Sequence, residues 1–214
     1  MKNYKVRLML GYCIAIMPTN ILRILLYRYI FGYDIYQSII GWNTIIAVNN
    51  AKLHKCNIGR NNKFIGPMKI VIKNGASIGK GNTFNCGWWT IQEKFAAKNY
   101  KRYLEIGENT LITGEHYFDI ADAFILGSFS WIGGISSQFW THGAGTDNRD
   151  IYIGEHCYIG SAVRFSPGSS VGNNTIVALG SVVTRDFDME NVAIGGQPAK
   201  VLKKDYDWKS QSAS

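Results

Sequence analysis

From Ile153 to Val183 an apolar residue returns at every sixth position: Ile153, Ile159, Phe165, Val171, Val177 and Val183. In a chain that is 46% hydrophobic, six such hits in one register would arise by chance roughly one time in a hundred. A second row supports the first. Four places after each of the first five hits stand Cys157, Val163, Ser169, Thr175 and Ser181, all small or β-branched, and Gly154, Gly160 and Gly172 directly follow apolar hits. The pattern recurs upstream with slips of register, at Ile58-Gly59, Ile72, Ile78-Gly79, Phe84, Ile106-Gly107, Ile112, Leu126-Gly127 and Ile132-Gly133. A period of six fits neither an α-helix nor a simple alternating strand. It fits a hexapeptide solenoid, in which each hexad is a short strand plus a turn and three strands close one triangular coil. The apolar residue points to the axis and the small one sits near the corner. Coils then stack at about 4.8 Å with parallel pairing throughout.

A solenoid exposes unpaired strands at both ends and needs caps. Residues 1–50 are expected to form a short helical and apolar region, residues 51–186 the β-helix, and residues 187–214 a C-terminal cap segment. Two stretches break the register, 85–104 and 139–150, and such insertions become loops on one side of a solenoid. The fold class is thus an all-β solenoid, a parallel β-helix with a helical N-terminal appendage.

Leu8 to Met17 is nearly all apolar, and Pro18, Thr19 and Asn20 end it; a second run, Ile21 to Phe31, carries Arg23 and Arg28. Neither reaches the roughly 20 residues that a membrane span requires, and no clean cleavage site follows to make the first a signal peptide. Two short helices are expected, packed on the domain or on a neighbour, with residues 4–31 offering a peripheral membrane contact. Thr19 or Asn20 is the candidate cap of the second. The formal net charge of +8 points to acidic partners. No nucleic-acid partner is expected, since no recognition helix, zinc-finger spacing or RNP-like motif is present. Cys13, Cys56, Cys86 and Cys157 show no paired spacing, which points to free, buried or half-buried thiols and a cytoplasmic location, at the inner face of the cell membrane if the apolar segment docks there.

The stretch IYIGEHCYIGSAVRFSPGSSVGNNTIVALGSVVTRD, followed by IGGQPAKVLKK, resembles the hexapeptide-repeat acetyltransferases, and most of all the polysaccharide and O-antigen O-acetyltransferases. The resemblance covers about residues 56–204 and is strongest after 125. It implies left-handed coils, although parallel crossovers are otherwise right-handed. It also implies a homotrimer with active sites between neighbouring prisms, acetyl-CoA as co-substrate and a carbohydrate acceptor.

Acetyl transfer from a thioester to a sugar hydroxyl needs a base, a donor for the oxyanion and alignment of the two substrates. Histidine is the natural base at neutral pH. His142, in Phe139-Trp140-Thr141-His142-Gly143-Ala144-Gly145, stands where the resemblance places a catalytic histidine. His116, in Thr113-Gly114-Glu115-His116-Tyr117, is the second candidate and is grouped with Trp140 as an acceptor-binding residue. His156 is expected at an outward turn, and His54 to be structural or exposed. Asp147 and Asp119 are candidates for orienting His142. For the coenzyme, the resemblance carries over to Ser161, Leu179, Thr184 and Arg185, with Lys200 and Lys203 in the basic tail; Arg185 and the two lysines suit phosphate groups. Leucine at 179, where the family pattern has a small residue, would narrow the groove. Trp88, Trp89, Tyr100 and Tyr103 in the first insertion either stack on a sugar ring or pack the loop, and Lys94, Lys98, Lys101 and Arg102 form a charged or simply solvated edge beside them.

Other readings remain open on sequence. The acceptor could be an amino sugar, acetylated on nitrogen, or serine, although serine acetyltransferases carry a longer helical N-terminal region. A non-catalytic scaffold would need neither His142 nor the basic tail. No metal is expected, because a zinc protein of the γ-carbonic anhydrase type requires closely spaced histidines that His142 and His156 lack.

Overall fold

A computed structural model describes residues 4–212, and the side chains of these through Ser210; the remaining ends of the expected N- and C-terminal segments lie outside the described residues. The chain forms a left-handed parallel β-helix, and its core is three columns of side chains. On the first face Ile35, Leu53, Ile72, Ile106, Leu126, Ile153 and Val171 stand in register. On the second face the column is Ile40, Ile58, Ile78, Ile112, Ile132, Ile159, Val177 and Ile194. The third face stacks Ile46, Phe64, Phe84, Phe118, Phe139, Phe165 and Val183. Five consecutive phenylalanines lie in this last column, with ring centroids 4.3–5.3 Å apart and nearly parallel planes. All are fully buried.

The residues between columns make the corners. Between the first and second faces the chain turns through left-handed residues such as Asn109, His156 and Asn174, and between the second and third through Asn61, Gly81, Glu115, Ala162 and Gly180. The glycine after the inward residue has a different reason. A Cβ on Gly127 would lie 2.5 Å from the backbone of Gly154, and one on Gly154 would lie 2.7 Å from Asn173. Coils approach too closely there for any side chain. The small row is buried as expected, and its hydroxyls close turns: Ser169 donates to Ser166 O and Ser181 to Ala178 O.

The solenoid is longer at both ends than the expected 51–186. Its first strand is Asp34–Tyr36, and Val192–Gly196 still pairs in parallel with Thr175–Val177. The insertions are shorter than expected. Asn85 remains in the ladder and Tyr103 rejoins it, while Gln138–Trp140 is a paired strand, so Phe139 belongs to the core and the second loop begins at Thr141. Both loops leave at the same corner, between the third face and the first face of the next coil.

Two helices precede the first strand: α2 (Asn20–Phe31) closes the starting edge, and α1 (Tyr4–Ala15) packs over the outside of the third face on Ile45, Ala47 and Ile65. Thr19 caps α2 by accepting the Leu22 N–H, and Gly32 ends it in the left-handed region. Asn20 serves the coil instead: its Oδ1 accepts the Ile40 N–H at 2.8 Å. Arg23 Nε donates to Ile40 O at 2.9 Å, the Tyr27 hydroxyl takes the Ile46 N–H and reaches Thr44 O, each at 3.0 Å, and the Tyr33 hydroxyl bonds Val48 N and O. Arg7 also donates to Val48 O. Polar side chains thus pair the backbone of a strand edge that water or another chain would otherwise meet. At the far end Ala199–Lys203 pairs antiparallel with Val192–Gly196, and Trp208 in a short terminal helix donates to His156 O at 2.9 Å.

Cys56, Cys86 and Cys157 are buried, and burial raises their thiol pKa values, to about 12 for Cys86 and about 11 for Cys157. Cys13 differs from expectation: it lies exposed on α1.

Candidate functional site

The two loops that leave the shared corner meet each other. The first, residues 86–102, contains 3-10 turns at Trp88–Ile91 and Glu93–Lys98. The second, residues 141–150, lies two coils further on. Arg149 joins them: its Nε donates to Asp122 at 2.7 Å, one terminal nitrogen to Lys98 O at 2.8 Å and the other to Thr146 O at 3.1 Å, and its guanidinium lies 4.7 Å from the Tyr100 ring centre. Lys101 pairs with Asp150, whose other oxygen accepts the Ala123 N–H. A buried guanidinium with this many fixed acceptors holds the loops as one unit.

His142 sits at the root of that unit. Its Nδ1 is 2.7 Å from Asp119 Oδ2. Asp119 follows the inward Phe118, so its carboxylate points away from the axis, yet the loops bury it to 3% exposure. The Thr141 N–H also donates to Oδ2 at 3.2 Å, and the Thr141 hydroxyl donates to Asp119 O at 2.8 Å. The carboxylate therefore fixes the ring with a proton on Nδ1 and leaves Nε2 as the basic nitrogen. The hydrogen bond to Asp119 raises the His142 pKa above the ordinary histidine value against the smaller opposing effect of burial. Its side chain keeps 38% exposure. Trp89 lies against the ring at 5.1 Å and is itself framed by Phe95 and Tyr100.

Other residues singled out in the sequence fall in different places. Trp140 is on the outside of the third face beside Tyr117, with ring centres 5.0 Å apart, two residues from His142. Trp88 turns the other way, onto Tyr4 of α1 at 4.9 Å. His116 is corrected by its surroundings. It is 2% exposed, its Nδ1 accepts the Ser137 N–H at 3.1 Å and its Nε2 lies 3.0 Å from the Thr113 hydroxyl. Burial lowers its pKa to about 4. It is a neutral rung in an inner polar ladder with Asn62, Asn82 and Ser137, each bonding the next coil, and both ring nitrogens are occupied inside the prism. Asp147 is 90% exposed and pairs with Lys98, not with His142.

The coenzyme candidates lie around the last coils. Ser161 and Gly180 stack at the corner between the second and third faces, joined by Gly180 N–H to Ser161 O at 2.8 Å, and Leu179 beside them is 78% exposed. Thr184, Arg185, Lys200 and Lys203 are exposed; Arg185 rests over Phe187 and Lys203 over Tyr206. Ser161 and Leu179 are separated from His142 by the width of the third face, and Lys200 and Lys203 lie on the antiparallel strand at the far end, whereas Thr184 and Arg185 follow Val183 at the same corner as His142, two coils further on. Asp119 and Trp89 are the residues that sequence reasoning undervalued. The signal for Asp119 was its step along the strand from Phe118, visible only once Phe118 and Phe139 are in register. Among the described residues no group of three His, Cys, Asp or Glu side chains is placed to hold a metal ion.

No protein-family model matches the chain. Galactoside O-acetyltransferase from Lactococcus lactis is 37% identical over 65 residues, 29% of this chain and 31% of its own length. Galactoside O-acetyltransferase from Escherichia coli is 39% identical over 54 residues, 25% of this chain and 26% of its own. The match thus spans less than a third of either relative. Among solved structures, LpxA from Acinetobacter baumannii superposes with a TM-score of 0.54 at 14% identity, over 84% of this chain and 73% of that one. The polySia specific acetyltransferase NeuO gives 0.51 at 19%, over 82% of each chain. A hexapeptide-repeat acetyltransferase from Vibrio cholerae gives 0.51 at 20%, over 95% and 91%. At these identities the structural neighbours bear on the fold. In local sequence and in its left-handed β-helix, the chain resembles the hexapeptide-repeat acetyltransferases.

Proposed function

We propose that this protein is an acyltransferase that moves an acetyl group from coenzyme A to a hydroxyl of a carbohydrate, a surface polysaccharide or its precursor, with His142 as general base. The observation that carries the reading is the 2.7 Å contact between His142 Nδ1 and the buried Asp119 carboxylate, at a corner where two loops stand over a half-exposed imidazole. His142 Nε2 would take the proton of the acceptor hydroxyl as its oxygen attacks the thioester carbonyl. The carbon–sulfur bond then breaks and the coenzyme thiolate recovers the proton from the imidazolium, so no charge is left behind. Asp119 stabilises that imidazolium while it exists.

Trp140, and Trp89 from the first loop, offer apolar faces beside the base, which suits a sugar ring. The exposed Arg185, Lys200 and Lys203 suit the coenzyme's phosphates, with Ser161, Leu179 and Thr184 along its path. Because Ser161 and Leu179 stand at a different corner of the prism from His142, a site that uses them together would draw on a second copy, in keeping with the proposed homotrimer. The names of the two galactoside O-acetyltransferase relatives favour oxygen over nitrogen as the acceptor atom, and three buried free thiols suit a cytoplasmic setting.

The test is incubation of the full chain with acetyl-CoA and a panel of neutral and acidic glycans, following thiol release and the acetylated product. The expected product is an ester, cleaved by hydroxylamine. A hydroxylamine-stable amide would replace the hydroxyl acceptor with an amino sugar, and thiol release unaccompanied by glycan acetylation would remove the carbohydrate.

A further inference from the structure

The residues that α2 buries fully are Arg23 and Tyr27, both bonded to the backbone of the first coil, while Ile24, Leu26 and Phe31 pack partly buried against the core. The other side of α2 presents Ile21, Leu22, Leu25 and Tyr29, between 42% and 92% exposed, and α1 with the turn that ends it presents Met9, Tyr12 and Ile16, between 46% and 58% exposed. Leu22, Leu25 and Tyr29, like Met9, Tyr12 and Ile16, follow i, i+3, i+7 spacing, so each set forms one stripe along its helix. Solvent is a poor neighbour for two such stripes on one hairpin. With 12 residues each, neither helix can cross a bilayer; no helix among the described residues is long and apolar enough to do so.

Charge identifies what covers this face. In a solenoid, position along the chain is position along the axis. Of the 23 Lys and Arg residues, 12 precede residue 85, and of the 15 acids only Asp34 does. The first coils expose Lys52, Lys55, Arg60, Lys63, Lys69 and Lys80 around the end that α2 caps. A second copy docking there would set one positive end against another. An anionic bilayer meets both features: acyl chains receive the apolar stripes and headgroups face the basic ring.

We propose that the protein docks through the outward sides of α1 and α2 onto an anionic phospholipid surface, lying in the interface without spanning it. This is independent of acetyl transfer. The experiment is flotation of the full chain with phosphatidylcholine vesicles and with mixed phosphatidylcholine–phosphatidylglycerol vesicles. The protein should float with the mixed vesicles, far less with phosphatidylcholine alone, and less as salt is raised. The double variant Leu25→Glu, Tyr29→Glu should bind the mixed vesicles at least about tenfold more weakly with an unchanged circular dichroism spectrum and thermal midpoint. Should that variant fail to fold, Lys55→Glu with Lys63→Glu supplies the second arm and should weaken binding to anionic vesicles selectively. Absence of flotation with mixed vesicles, flotation indifferent to these substitutions, or a stripe-dependent change in mass by sedimentation equilibrium, signifying self-association, would each overturn the proposal.

Discussion

Replacing His142 with alanine should lower kcat/KM for acetyl transfer by about 10²–10⁴-fold, the range that a positioned general base contributes. The substitution removes the atom that accepts the hydroxyl proton and leaves the architecture in place, since the imidazole is a half-exposed loop side chain. The thermal midpoint should therefore hold near wild type, although Asp119 loses one of its donors; the Thr141 N–H continues to satisfy it. A glutamine at 142 should not restore activity, because it can occupy the space and donate to Asp119 but cannot take up a proton near neutral pH. Thiol release at saturating acetyl-CoA, with acceptor varied, provides the measurement. A residual rate within about threefold of wild type would place the proton elsewhere, well outside the range for a general base.

The second large effect belongs to the core. Phe118→Ala should destabilise the protein by about 3–5 kcal/mol, the usual range for deleting a buried aromatic ring. Phe118 is the middle of five stacked rings, with Phe84 at 4.3 Å and Phe139 at 4.7 Å, and Phe124 meets it edge-on at 5.1 Å. The coils above and below are joined by rigid parallel ladders and cannot close in to fill the space. Phe118→Leu keeps most of the volume and should lose much less. Urea midpoints of the three proteins check the order. Equal losses for alanine and leucine would mean that ring stacking, and not filled volume, dominates the column.

Much of this architecture is legible in the sequence. From Ile153 to Val183 the columns follow the six-residue step without a slip, because no insertion interrupts the coils there and most inward residues have polar or small neighbours. The first coil was missed for the opposite reason. Ile40-Gly41 repeats the Ile58-Gly59 pair, but Ile39, Ile45 and Ile46 crowd around it and blur which residue faces the axis. The inner polar ladder was also only half legible. A row of small residues at the corner was expected, yet Asn62, Asn82 and His116 fill the same row, because an amide or imidazole bonding backbone in the next coil does the work of a hydroxyl. His116 therefore looked like chemistry and is structure. Asp119 and Asp147 stand as equal candidates in the sequence, and Asp119 is the partner of His142 because it is buried under two loops whose meeting depends on Arg149, 27 residues from its own partner Asp122 in the chain.

The central claim is that Asp119 tunes His142 as a base, and the pH dependence of kcat/KM tests it most directly. The base must be neutral, so activity rises with pH as the imidazolium loses its proton. Hydrogen bonding to Asp119 raises that pKa above the ordinary value of 6.5, which sets the acid limb of the wild-type profile above that value. In Asp119→Asn the carboxylate charge is gone, the imidazolium loses its stabilisation, and the limb should move to lower pH while the plateau rate falls. An acid limb at the same pH in wild type and Asp119→Asn would contradict the account.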